Sequence, residues 1–169
     1  MAMVEAIVQE LEQEGKTTRR LLERVPADKL SWKPHAKSMS LGELALHVAQ
    51  APGLISGWCL QDCTDFSGDN HQAQAKSTEE IIAAHDDSIK KTKEMLHTLG
   101  DAGLMRNWEG KAGGTTLMTM PKAGLVRAIV LNHWIHHRGQ LSVYLRLLDV
   151  PVPSIYGPSA DENPFAARV

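Results

Sequence analysis

The sequence contains few aromatic residues and few cysteines. Among 169 residues there are only two Phe, two Tyr and two Cys. So few aromatic side chains argue against an aromatic-rich β-sandwich. Cys59 and Cys63 have the spacing C-x3-C rather than the redox spacing C-x-x-C, and two cysteines do not indicate a disulfide framework. We therefore interpret both as reduced thiols.

Long apolar runs and dense positive charge are also missing. No apolar run approaches the roughly 18 residues that span a bilayer, and residues 1–5 lack the basic and apolar regions of a signal peptide. The formal net charge is −2, the pI is near 6.4, and no dense Lys/Arg run offers a patch for phosphates. We therefore expect a cytoplasmic protein without nucleic-acid or membrane partners.

The length and the apolar periodicity predict one helical domain. With 43% hydrophobic and 22% charged residues, the chain is long enough to bury a sizeable core as a single domain over residues 1–169. Helical periodicity with start and stop signals predicts an all-α fold, a four-helix bundle. The signals are Pro26 after a first helix over residues 4–24, a capping box at Ser40–Glu43, a second box at Ser77–Glu80 with Gly100 at the helix end, and Pro121 before a last helix reaching about Leu148.

The segments between these helices carry their own signals. Pro52-Gly53 is expected to kink or break the second helix. Residues 62–76 are polar and predict a long crossover loop between helices two and three. Residues 101–122, with a turn region at 110–114 followed by the run 115–120, are compatible with a short β-hairpin. The proline-rich tail after Leu148 is expected to lie irregularly across the bundle surface.

Two histidines of the last helix stand four residues apart in an apolar stripe. Side chains at i and i+4 have β-carbons roughly 5–6 Å apart, so His133 and His137 can reach one ion at about 2.0–2.1 Å each. At roughly 100° per residue, His137 shares the inward face with His133 while His136 points sideways. Two buried imidazoles need partners for their ring nitrogens, and a shared metal ion would satisfy both.

A third histidine, His47, lies on the inward flank of helix two. Three imidazoles suffice for a catalytic metal site, because such a site keeps a fourth position open. Cys59 lies about 18 Å further along that helix and does not complete the site. The sequence around His133 lacks the glutamate of an H-E-x-x-H metalloprotease, and no nucleophile elbow or phosphate loop is present. Three imidazoles suit Zn, Ni, Fe or Cu.

Several neighbouring residues have two interpretations. Glu43 lies one turn before His47 and either acts catalytically, on bound water or by orienting the ring, or serves only as a cap. Asn132, Arg138 and Gln140 either support the ligands, form dimer contacts or lie on the helix surface. His85, alone on the stripe of helix three, is interpreted as a core or mouth histidine. Trp58 is a candidate wall for a pocket.

Three segments of the chain resemble the DinB/YfiT-like family. They are Leu30-Ser31-Trp32-Lys33-Pro34, the run from Ser38 to His47, and His133-Trp134-Ile135-His136-His137-Arg138-Gly139-Gln140-Leu141 with Leu145 and Leu148. The resemblance implies a four-helix bundle in up-down-down-up order, commonly a homodimer, with a divalent metal held by three histidines. By position these are His47, His133 and His137.

The resemblance also implies a class of reaction. Relatives include metal-dependent thiol transferases that act with low-molecular-weight thiols, and a mycothiol-dependent isomerase. We therefore expect a Zn or Ni ion, with Fe, Mn or Cu as alternatives, that activates a small thiol for attack on a small-molecule electrophile. A hydrolase that uses metal-bound water is the second hypothesis. A non-catalytic, stress-associated metal-binding dimer is the third.

Overall fold

A computed structural model describes residues 2–68 and 73–166, and long helices dominate it. The helices are α1 (Met3–Leu22), α2 (Leu41–Cys59), α3 (Thr78–Leu104) and a continuous C-terminal helical segment over residues 122–147. That segment consists of α4 (Lys122–Leu125), a π-helical stretch (Val126–His133) and α5 (Trp134–Leu147). A 3₁₀ turn (Ala27–Lys29) follows α1. The four predicted helices are present, with bounds close to those expected.

Helices α1, α2, α3 and α5 enclose the core. Helix α2 packs against α3 and α5, and α1 packs against the same two helices. Their apolar stripes meet in a buried cluster that includes Leu11, Leu44, Leu96, Trp134 and Leu141. Within the described part of the chain, no helix is both long enough and apolar enough to cross a bilayer.

Local capping explains where α2 and α3 begin. The Ser40 hydroxyl accepts the Glu43 N–H at 3.1 Å, and the Glu43 carboxylate accepts the Ser40 N–H at 2.6 Å, which forms the predicted capping box. At α3, the Ser77 hydroxyl accepts the Glu80 N–H at 3.1 Å. The Glu80 carboxylate accepts the N–H of Lys76. The second predicted capping box is therefore altered, because this carboxylate binds the amide one residue before Ser77 instead of the Ser77 amide.

Pro52 lies inside α2 without ending it. The proline has no N–H for the Val48 carbonyl, and the Trp134 indole N–H takes this place at 2.8 Å. The next amide, the Gly53 N–H, donates to the Ser88 hydroxyl at 2.7 Å. Of the expected kink or break at Pro52, the break is wrong, because side chains from α5 and α3 supply the hydrogen bonds that the helix lacks.

Gly100 interrupts α3 where the sequence predicted its end. Its φ of 59° and ψ of 179° are non-helical, but the helix resumes and reaches Leu104. Glycine adopts this positive φ without the cost that a β-carbon brings. The following Asp101 carboxylate accepts the N–H groups of Met3 at 3.1 Å and Val4 at 2.9 Å. The interruption thus lets α3 cap the start of α1.

A small sheet corrects the all-α prediction. Strands β1 (Cys63–Asp65), β2 (Asn107–Ala112) and β3 (Thr115–Pro121) are ordered β1-β2-β3, with β1 parallel and β3 antiparallel to β2. The hairpin of β2 and β3 confirms the expected hairpin. Strand β1 lies inside the predicted crossover loop 62–76, of which residues 69–72 fall outside the described residues. A three-residue strand carries little periodic signal, and its partner lies more than forty residues away.

The tail follows α5 without further helix or strand in residues 148–166. Its Tyr156 hydroxyl donates to the Glu14 carboxylate at 2.9 Å, and Glu162 forms an ion pair with Arg20 at 2.6 Å. Both partners belong to α1. The predicted irregular tail across the helices is therefore confirmed.

Candidate metal centre

Three histidines from two helical segments converge on one point. One ligand atom each from His47, His133 and His137 lies within 4.8 Å of the other two, and no other such group of His, Cys, Asp or Glu occurs among the described residues. The Nε2 atoms of His47 and His133 are 3.1 Å apart. The ring centroid of His137 is 4.4 Å from those of both other histidines. The structure brings together the three residues that the sequence singled out.

The spacing and the chemistry of this group fit a transition-metal ion. Two nitrogens bound at about 2.0–2.1 Å to one tetrahedral ion lie roughly 3.3–3.4 Å apart, close to the distance between the two Nε2 atoms. All three donors are imidazoles, and the group contains no carboxylate or thiolate. Imidazole donors suit Zn, Cu, Fe and Ni rather than Mg or Ca. The residues present therefore fit a divalent transition metal.

Backbone geometry places the two C-terminal ligands. His133 is the last residue of the π-helical stretch, and His137 follows four residues later in α5. Stretches of π-helix are rare and frequently occur at functional sites. The next residue, Trp134, is fully buried and its indole N–H donates to the carbonyl of Val48, the neighbour of His47. This hydrogen bond joins the two helical segments directly beside the ligands.

Burial favours the neutral form of two of these imidazoles, His133 and His137. Removal from water lowers the pKa of His137 to about 4, assisted by the neighbouring histidines and opposed by a hydrogen bond to Gln140. Burial is also the main cause of a lowered pKa for His133, with a smaller contribution from His136. A neutral imidazole has the lone pair that a metal requires. At neutral pH both side chains are ready to bind an ion.

His136 lies beside the group, Glu43 lies one turn before His47 in α2, and neither belongs to the group. His136 is exposed, and its ring centroid is 4.9 Å from that of His137. Glu43 is held by the Ser40 amide and lies 3.5 Å from the Lys33 ammonium. The Ser40 amide is the main reason why the pKa of the Glu43 carboxyl is lowered. The structure thus shows the capping role of Glu43, and its catalytic role stays a prediction.

Arg138 differs most from its expected position. It is 1% exposed and lies against α1, where its guanidinium is 2.6 Å from the Glu14 carboxylate and 3.1 Å from the Thr18 hydroxyl. The expectation of a dimer contact or a surface position is therefore wrong. Arginine side chains are usually exposed, and the partner that makes burial of Arg138 possible, Glu14, lies in another helix. Of its two companions, Asn132 is exposed, whereas the Gln140 side chain lies 2.7 Å from the His137 ring.

The remaining candidates lie outside the histidine group. His85 is 2% exposed in the core, with Nδ1 3.1 Å from the Asp86 carboxylate, which confirms its interpretation as a core histidine. Trp58 packs edge-on against Phe66 of the segment after β1. Both cysteines are free thiols, Cys63 exposed and Cys59 buried. Burial raises the pKa of the Cys59 thiol to about 12, so that thiol is a poor nucleophile.

The fold is similar to that of solved proteins. A crystal structure of a DinB-like protein from Bacillus cereus ATCC 10987 has a TM-score of 0.71 at 22% identity, covering 90% of this chain and 97% of that one. A DinB-like protein, YjoA, from Bacillus subtilis has a TM-score of 0.65 at 22% identity, covering 85% of this chain and 92% of its own. These likenesses concern the fold alone.

Sequence comparison extends the likeness to a whole family. The uncharacterized protein YrdA of Bacillus subtilis (strain 168) is 25% identical over 161 residues, which cover 88% of this chain and 85% of YrdA. The model of the DinB family matches residues 1–164, nearly the entire chain. This protein therefore belongs to the DinB family.

Proposed function

We propose that this protein binds one divalent metal ion through His47, His133 and His137 and uses it to transfer a low-molecular-weight thiol to a small-molecule electrophile. The observation that carries the metal site is the convergence of three imidazole nitrogens within 4.8 Å. Three protein ligands leave a tetrahedral ion one open position. Zn or Ni is the proposed ion, with Fe, Mn or Cu as alternatives. The proposal includes an up-down-down-up four-helix bundle, a homodimer and a cytoplasmic location.

The ligand set favours an anionic partner. Three neutral imidazoles add no negative charge, so a bound ion would keep its full double charge and favour the thiolate form of an added thiol. The protein's own cysteines are outside the histidine group, and the Cys59 thiol is buried. The reacting sulfur must therefore come from a second molecule.

A water molecule in the same open position would instead make the protein a hydrolase. In that case Glu43 is the proposed residue that acts on the water or orients His47. Thiol-dependent consumption of a panel of electrophiles supports the transferase. Thiol-independent cleavage of esters or amides supports the hydrolase, and its loss in Glu43→Gln with metal retained supports the role of Glu43. Metal binding without either activity supports a non-catalytic metal-binding dimer.

Elemental analysis of tag-free protein tests the site directly. We expect about one metal per chain in the parent protein and in His136→Ala, and little metal in His47→Ala, because that variant loses the only ligand that α2 supplies. The His136 variant is a matched control, since its imidazole lies beside the site but outside the ligand group. Absence of metal from the parent after reconstitution with Zn, Ni and Mn would overturn the proposal, as would loss of metal in His136→Ala alone.

A further inference from the structure

Gln140 makes a close contact with one of the three histidines. It lies three residues after His137 in α5, so the two side chains share a side of the helix. The Gln140 Oε1 atom is 2.7 Å from the Nδ1 atom of His137. Gln140 is otherwise exposed to solvent. The contact therefore serves His137 rather than the packing of the core.

This contact fixes which nitrogen of His137 carries the proton. A neutral imidazole has one N–H and one lone pair, and the amide oxygen of glutamine only accepts hydrogen bonds. With Oε1 as the partner, Nδ1 must donate, and the lone pair is left on Nε2. His47 and His133 also approach each other through their Nε2 atoms. The Gln140 contact thus leaves the lone pair of His137 on Nε2, the same ring atom through which His47 and His133 approach each other.

We propose that Gln140 is a positioning residue that holds His137 in the tautomer with Nε2 free to bind the metal. The inference rests on the proposed metal-binding function. Histidine ligands of metals usually donate their second N–H to a carboxylate, a carbonyl or water, and loss of that partner typically costs 10–100-fold in metal affinity. Here the acceptor is a neutral amide that orients the ring without adding negative charge to the site.

The neutrality of the amide has its own consequence. A carboxylate in the same place would accept the same proton, make His137 a more basic ligand and attract the cation. It would also reduce the net positive charge that an anionic ligand meets at the open position. Glutamine therefore gives the site orientation while leaving the charge of the ion available to a thiolate.

Three substitutions test whether Gln140 acts by orienting the His137 ring or only by the bulk of its side chain. Gln140→Met keeps the length of the side chain and removes the acceptor, so we expect 10–100-fold weaker Zn²⁺ binding in competition with a chelator. Gln140→Glu keeps an acceptor, so we expect binding equal to or tighter than that of the parent. Gln13→Met, an exposed position on α1, is the matched control and should leave affinity unchanged. Equal affinity in Gln140→Met and the parent, or equal losses in the Met and Glu variants, would overturn the inference.

A measurement without metal keeps this inference separate from the proposed function. Nitrogen-15 NMR of the imidazole rings, recorded on metal-free protein at about pH 7.5, distinguishes the Nδ1–H tautomer from the Nε2–H tautomer. We expect His137 as Nδ1–H in the parent and in Gln140→Glu, and a mixture in Gln140→Met. An Nε2–H form in the parent would refute the role of Gln140 even if the metal binds. If the parent shows Nδ1–H but binds no ion, the metal-binding proposal fails and the contact has only a structural meaning.

Discussion

His137 and Arg138 are adjacent in α5, yet they belong to two polar clusters of different kinds. Arg138 lies 1% exposed against α1, and Glu14, Thr18 and the ring of Tyr156 surround its guanidinium. His137 lies partly buried with His47 and His133. The imidazole side chains of these three residues are neutral or cationic and contribute no negative charge. The Arg138 cluster, here called the closed cluster, contains its own counter-charge. The histidine cluster, here called the open cluster, offers electron pairs without an acidic group, which is the composition expected of a site that receives a cation.

The closed cluster should matter most for stability. Glu14→Gln removes the carboxylate charge that faces a buried guanidinium, and breaking a buried ion pair in this way typically costs about 3–5 kcal/mol. Denaturant unfolding measures this cost. The metal content should stay unchanged, since Glu14 lies on α1 and outside the histidine group.

The pair of Glu10 and Arg127 is a matched control for the closed cluster. It also joins α1 to the C-terminal helical segment, but its side chains are 34% and 53% exposed. Glu10→Gln should therefore cost at most about 1 kcal/mol. Equal losses in the two variants would show that burial does not distinguish the two pairs.

The open cluster should gain stability only when an ion is added. A ligand that binds the folded state alone stabilises it by about 2.7 kcal/mol at a hundredfold excess over Kd. We expect this rise in the free energy of unfolding when Zn²⁺ is added to the parent or to His136→Ala, and no rise for His133→Ala or His137→Ala. A gain of the same size in all four proteins would place the bound ion elsewhere.

One hydrogen bond joins the residues next to His47 and His133 and so supports the open cluster. Trp134→Phe removes the indole N–H that the buried Val48 carbonyl accepts, and an unsatisfied buried carbonyl costs about 1–3 kcal/mol. Because the bond lies beside His47 and His133, Zn²⁺ affinity should also fall. Pro52→Ala restores a backbone N–H four residues after Val48. In that background Trp134→Phe should cost less, and a double-mutant cycle measures the difference. Additive costs would argue that the Trp134 indole N–H does not replace the N–H that Pro52 lacks.

The sequence predicted what depends on neighbouring residues. The Ser40 capping box, the loss of helical geometry at Gly100, which the sequence predicted as the helix end, and the pairing of His133 with His137 all rest on contacts or spacings within a few residues. Periodicity added the inward position of His47. Each of these features is encoded locally, and each is present in the structure.

Features that depend on distant partners could not be predicted in the same way. The burial of Arg138 needs Glu14, the continuity of α2 through Pro52 needs Trp134, and β1 needs β2. These pairs join parts of the chain that only the tertiary fold brings together. The π-helical stretch before His133 was also missed, because its apolar residues fit an α-helical stripe as well.

The smallest expected effect is the response of the open cluster to acid. The pKa of His137 is about 4, and that of His133 is also lowered, below the ordinary value of 6.5. Between these values the unfolded chain binds more protons than the folded one. Above about pH 6.5 these histidines therefore do not lower the free energy of unfolding of the metal-free protein. As the pH falls toward 4, their protonation lowers it progressively. Denaturant unfolding across this range should show a shallower decline for His137→Gln, with a remainder from His133 and from buried His85, whose pKa is lowered too. Identical pH dependence in the parent and the variant would mean that protonation of His137 does not oppose folding. The His137 ring would then be more exposed to solvent than the rings of His133 and His85.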